Sequence, residues 1–224
     1  MIRFLTTVLT LAEKDVRIEL RSKEMLYATF LFVMLCLVIF NFSFSINPQI
    51  VEKVAPGIIW VVVVFSGSIS MNYLAHRDQE DHAHEGLLLA GCTGTALYFA
   101  KFVTTLVFML VIQLLTIPFF ILFFNFAVGD WLPAFASVLA LGTIGYAAVG
   151  TLFASLLTHA RLKELLLPVV FYPVVIPLLI AAVKATGEVF AGVTPKEIPL
   201  MVGFDLIFLT ASALLFDFVV EDPS

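Results

Sequence analysis

Met25-Leu-Tyr-Ala-Thr-Phe-Leu-Phe-Val-Met-Leu-Cys-Leu-Val-Ile-Phe-Asn-Phe-Ser-Phe-Ser-Ile46 contains no charged residue. A helix needs about 20 mostly apolar residues to cross a bilayer, and this stretch has that length. Five comparable runs follow: Pro56 to Ala75, Phe102 to Phe126, Ala134 to Leu157, Leu165 to Val183 and Leu200 to Val220. Backbone N–H and C=O groups have no water to bond with in hydrocarbon, so each run is expected to be a helix. A β-barrel would need roughly ten-residue alternating segments, and the sequence has none. The fold class is therefore an all-α membrane protein with six transmembrane helices.

Composition agrees. Of 224 residues, 61% are hydrophobic and 13% charged, against about 45–50% apolar and 25% charged in a soluble domain. The net charge of −5 argues against nucleic acid, which is gripped by clustered Lys and Arg. Cys36 and Cys92 have no CxxC spacing and are expected to be free thiols. The N-terminus is not expected to be a cleavable signal, because a mixed-charge segment precedes an apolar run too long for an h-region.

Lys and Arg orient the bundle. Arg3, Lys14, Arg17, Arg21, Lys23, Arg77, Lys101, Arg161 and Lys163 fall in one set of connecting segments, and Lys53, Lys184 and Lys196 in the other. The richer set is expected in the cytoplasm, which puts both termini there, including the acidic tail at residues 221–224.

Two cytoplasmic segments stand out. In residues 1–24, Phe4, Leu5, Val8, Leu9, Ala12, Val16 and Leu20 share one helical face, and Lys14, Arg17 and Arg21 share the other. Glu13–Arg17 and Glu19–Lys23 have the i,i+4 spacing that supports a helix. Such a helix lies in the membrane interface, either as an anchor or as a docking element. The second segment is His76-Arg-Asp-Gln-Glu-Asp-His-Ala-His-Glu-Gly-Leu-Leu-Leu-Ala-Gly91. Residues 80–90 are expected to form a short helix stopped by Gly91, with Thr95 capping the next span. Leu87, Leu88 and Leu89 beside acids suggest a protein contact; a loop resting on the bilayer is the alternative.

Inside the membrane, Ala136, Ala140, Thr143, Ala147, Gly150 and Ala154 make a small-residue face for close helix packing. Pro168, Pro173 and Pro177 kink the fifth span or free carbonyls along a pathway. Asp205 lies about five residues into the last span, so it either reaches interfacial water or marks a pathway. His76, His82, His84 and His159 lack structural-zinc spacing, and no metal site is expected. There is no GxxxxGK[ST] loop and no nucleophile elbow, so the chain is not expected to hydrolyse ATP and no catalytic residue is assigned.

Five segments resemble, in order, the haem exporter protein B (CcmB) family, the membrane subunit of the cytochrome c maturation ABC transporter. They are Lys14-Asp-Val-Arg-Ile-Glu-Leu-Arg-Ser-Lys-Glu24, Ala55-Pro-Gly-Ile-Ile-Trp60, Glu85-Gly-Leu-Leu-Leu-Ala90, Ala148-Val-Gly-Thr-Leu-Phe-Ala154 and Glu164-Leu-Leu-Leu-Pro168. The loop departs from the family pattern at Asp81-His-Ala-His84. The resemblance implies an ABC-2 exporter-like fold, an interfacial helix followed by six spans, in the bacterial inner membrane. It further implies a coupling helix in which Glu80, Asp81, Glu85, Gly86, Leu87 and Leu88 meet an ATPase subunit (CcmA). The other implied partners are a haem-handling membrane protein (CcmC), a small membrane helper (CcmD), an outer haem chaperone and membrane lipids. No cofactor is implied on the chain itself: haem is cargo of the complex, and ATP belongs to the partner. An ABC-2 permease for a lipid or drug, and a scaffold that transports nothing, fit the same residues. The charge asymmetry has a direct test. Alkaline phosphatase, active only outside the cytoplasm, should be active when fused after Lys196 and silent when fused after Ser224.

Overall fold

The computed structural model describes residues 2–44, 48–80, 92–125, 129, 131–156 and 163–221. Seven helices make up this backbone: α1 (Ile2–Ser22), α2 (Glu24–Phe44), α3 (Pro48–Glu80), α4 (Gly94–Phe124), α5 (Leu132–Leu156), α6 (Lys163–Phe190) and α7 (Ile198–Glu221). Helices α2 to α7 each contain a stretch long and apolar enough to span a membrane, so the protein is an all-α, multi-pass membrane protein.

The helices outrun the apolar stretches that announce them. α3 has 33 residues, or about 50 Å at 1.5 Å per residue, against a hydrocarbon layer of about 30 Å. It starts at Pro48, so the exposed Glu52 and Lys53 are helical. α4 starts at Gly94 rather than near Phe102 because Thr93 caps it, accepting a hydrogen bond from the Ala96 N–H at 3.3 Å. The cap is thus Thr93 and not Thr95. α6 runs two turns past Val183 to a stop at Gly192, where φ is +71°. There the Val193 N–H reaches the Glu188 carbonyl at 2.8 Å, closing the helix in the left-handed turn that glycine adopts without strain.

α5 is the axis of the bundle. It packs against α3, α4, α6 and α7, and every residue from Gly145 to Leu152 is buried. Lipid tails are as apolar as leucine, so helices associate through close packing and hydrogen bonds. The close approaches fall at glycines. A Cβ at Gly142 would enter the Trp60 ring of α3, and one at Gly150 would strike Met71 of α3. One at Gly145 would meet the Asp205 carboxylate of α7 and Leu178 of α6. The expected small-residue face is only partly the packing face: Thr143, Ala147 and Gly150 are buried, whereas Ala136 is exposed. Gly142 and Gly145, outside that face, carry two of the tightest contacts.

Polar ties hold the register. The Trp60 indole N–H donates to Thr186 Oγ1 at 2.9 Å, linking α3 to α6. The Gln113 amide of α4 donates to Thr143 Oγ1 of α5 at 2.8 Å. The Ser68 hydroxyl lies 2.7 Å from that of Tyr146 and 2.9 Å from that of Tyr172, joining α3, α5 and α6. Such ties contribute about 0.6 kcal/mol on average within membranes.

Filling the tightest approach should be destabilising. Gly150→Val drives methyl groups into Met71 and should lower stability by about 1–3 kcal/mol, read as the denaturation midpoint in detergent. Adding Met71→Ala should recover part of the loss; a double variant no better than the single one would show that the contact is not the cause.

Candidate functional site

The candidate site is the end of the bundle where α1 packs on the start of α4. α1 is amphipathic in three sectors rather than two. Val8, Ala12 and Glu19 are buried and Asp15 is half-buried, all on the sector that packs on α4. Leu5, Leu9 and Leu20 stay exposed on the adjoining sector. Lys14, Arg17 and Arg21 are exposed on the polar remainder, with Glu13 pairing Arg17. The single apolar face expected from sequence therefore divides into a bundle-facing strip and an outward-facing strip. An outward strip between protein and charge is what a helix lying in the lipid interface presents.

Two contacts fix α1 against α4. Phe4 meets Phe99 edge to face, with ring centroids 6.0 Å apart. Lys101 reaches Asp15 at 3.4 Å, with both side chains only 15% exposed, and Lys14 pairs with the other Asp15 oxygen at 3.1 Å. Lys101, which the charge count grouped with the connecting segments, lies two turns inside α4 and helps hold α1. Lys23 then turns the chain directly into α2 with φ +59°.

The remaining candidates are distributed differently. Glu80 is the last residue of α3; its backbone continues the span helix. Asp81, Glu85, Gly86, Leu87 and Leu88, the neighbouring His82, His84, Leu89 and Gly91, and also His159, lie outside the described residues. Pro168, Pro173 and Pro177 all fall within the unbroken α6, and Pro173 and Pro177 are exposed on its outer side. Carbonyls freed on that side face away from the bundle interior.

Of the two settings expected for Asp205, interfacial water does not match its burial. The residue is 5% exposed, and neither carboxylate oxygen has a hydrogen-bond partner among the described residues. Depth along the span suggested access to interfacial water; the rotation of α7 instead turns the side chain inward against Gly145. Sequence reasoning could have paired them only by knowing which face of α5 meets α7.

The model for the CcmB protein family matches residues 6–220. The chain belongs to the CcmB family. Among CcmB relatives, Heme exporter protein B of Haemophilus influenzae is 26% identical over 174 residues, covering 78% of each chain. The Pseudomonas aeruginosa protein of the same name is 25% identical over 170 residues, 76% of each chain. The Escherichia coli K12 one is 28% identical over 87 residues, 39% of this chain and 40% of the relative. The CcmB match runs from residue 6, inside α1, through all six spans, so most of α1 is part of the family unit.

Removing the tie between α1 and α4 should loosen α1. Lys101→Met leaves Asp15 with only its surface partner, a change of about 1 kcal/mol. Trypsin should then cut at Arg17 and Arg21 several times faster. The exchanged pair Asp15→Lys with Lys101→Asp should restore protection; equal cleavage in all three proteins would rule out the tie.

Proposed function

We propose that this chain is the membrane subunit of an ABC-type haem exporter in the bacterial inner membrane, working in cytochrome c biogenesis. Its part is to convert motion of a separate ATPase subunit into rearrangement of the bundle, for haem export or for release of a haem-loaded chaperone. The observation that carries the reading is the family match running through α1 as well as the spans. That match joins a lipid-facing amphipathic helix to the end of the bundle where α3 leaves the span.

In this reading the cytoplasmic face is the α1 end. Residues 80–90 form the coupling helix: Glu80, Asp81 and Glu85 offer charge to the ATPase, Gly86 permits close approach, and Leu87 and Leu88 insert. Lys14, Arg17 and Arg21 hold α1 at anionic headgroups, where each basic residue near the surface contributes about 1 kcal/mol. ATP stays on the ATPase (CcmA), and haem is cargo, handed between CcmC, the helper CcmD and an outer chaperone. The haem exporter names of the relatives support the cargo. Nine of the twelve Lys and Arg residues fall in the segments read as cytoplasmic, against Lys53, Lys184 and Lys196 in the others, which supports the orientation through the positive-inside rule.

The docking assignment makes a sharp demand. Glu85→Lys and Leu88→Asp should each reduce ATPase co-purification at least tenfold, about 1.4 kcal/mol or more, while membrane insertion is unchanged. Full recovery of the ATPase with both variants would sink it.

A further inference from the structure

Buried polar atoms in native proteins nearly always have a partner, and those without one need a reason such as an ion or water. In this bundle they concentrate along one helix. Glu197 Oε2 and both oxygens of Asp205 are buried and unpartnered among the described residues, as are the hydroxyls of Thr29 on α2 and Thr151 on α5, while the buried Ser212 hydroxyl lies beside that of Tyr98. Glu197 sits at the α6–α7 turn, immediately before α7. At 100° per residue, Glu197, Asp205 and Ser212 fall within about 80° of one another, over a rise of about 22 Å. They line the buried face of α7, which also carries the fully buried Met201.

We propose that Asp205 is a proton-binding site inside the bundle, reached along this face of α7 from the α6–α7 turn. An isolated carboxylate in an apolar interior must be neutralised by a ligand or a partner. Among the described residues, no partner comes from the elements around it. On α5, Tyr146 donates to the Val64 carbonyl and meets Ser68. On α6, Tyr172 is held by Ser68, Lys184 is exposed, and Glu188 accepts from the Lys196 N–H. On α4, the Tyr98 hydroxyl donates to the Ala148 carbonyl and Lys101 pairs with Asp15. On α7 itself, Glu197 is the further carboxylate, also lacking a partner at Oε2. A metal cation is a poor fit, because hard cations collect six or more oxygens, whereas no group of three or more His, Cys, Asp or Glu gathers among the described residues and the carboxylate lies against Gly145. A proton needs a single oxygen and no added volume. Glu197 at the turn is the entry group, and Ser212 offers a hydroxyl farther along the same face of α7.

The test uses the full-length protein in liposomes and dicyclohexylcarbodiimide, an apolar reagent that attacks carboxyl groups bearing a proton. Mass spectrometry of the α7 peptide should show Asp205 modified, with the rate falling at least about tenfold between about pH 6 and about pH 9. Asp205→Glu should keep the labelling and Asp205→Asn should lose it. Glu197→Gln should slow the response of labelling to a pH jump several-fold. Sodium ions should leave the rate unchanged. No modification of Asp205 at any pH in protein with an unaltered thermal midpoint would overturn the proposal. Protection by sodium would do so as well, by making the site one for a metal cation, and an unchanged response in Glu197→Gln would remove the access route. Should Asp205→Asn fail to fold, the wild-type pH profile and Asp205→Glu decide the matter alone.

Discussion

The bundle depends on how closely α5 can be approached. In lipid no gain comes from hiding leucine from the surroundings, because the surroundings are hydrocarbon too. What remains is surface fit and a few hydrogen bonds. Gly142 receives the Trp60 ring, Gly150 receives Met71, and Gly145 receives Asp205 and Leu178. These contacts set the height of α3, α6 and α7 along α5, and Gln113–Thr143 does the same for α4. α2 and α7 keep much of their surface for lipid, so the α5-centred packing is the part of the protein least able to rearrange without loss.

The spans were legible because lipid constrains every residue it touches. A charge inside a run would be conspicuous, and the runs are nearly free of them. Helix ends were less legible, since a helix continues into water wherever caps and side chains allow. α4 gained two turns from the Thr93 cap, and α3 holds Glu52 and Lys53 in helix outside the apolar run. Periodicity on α1 set Lys14, Arg17 and Arg21 apart from the apolar residues, but it could not divide leucines facing outward from valine and alanine facing α4, nor place Asp15 and Glu19 beside the latter; that division belongs to the neighbour. The same limit hid the importance of Gly142, whose significance is the indole lodged against it.

Asp205 shows the limit most clearly. Sequence gives depth along a span, and depth alone suggested water nearby. Rotation about the helix axis is decided by packing, and it turned the carboxylate inward beside Gly145. Lys14 and Asp15 of α1 come together with Lys101 of α4 at one end of the bundle, although Lys101 is far from them in the chain. That end gathers amphipathic and ionic features, while the opposite end holds the turn at Gly192.

A single residue, Lys23, separates α1 from α2 and sits in the left-handed region. A joint of one residue has only two soft torsions, and here the hydrogen bond from its N–H to the Glu19 carbonyl restrains them further. Such an elbow contains no slack. A longer linker would absorb a push on α1 by changing its own shape. This one behaves as a bell crank: tilting α1 must swing α2 or break the corner.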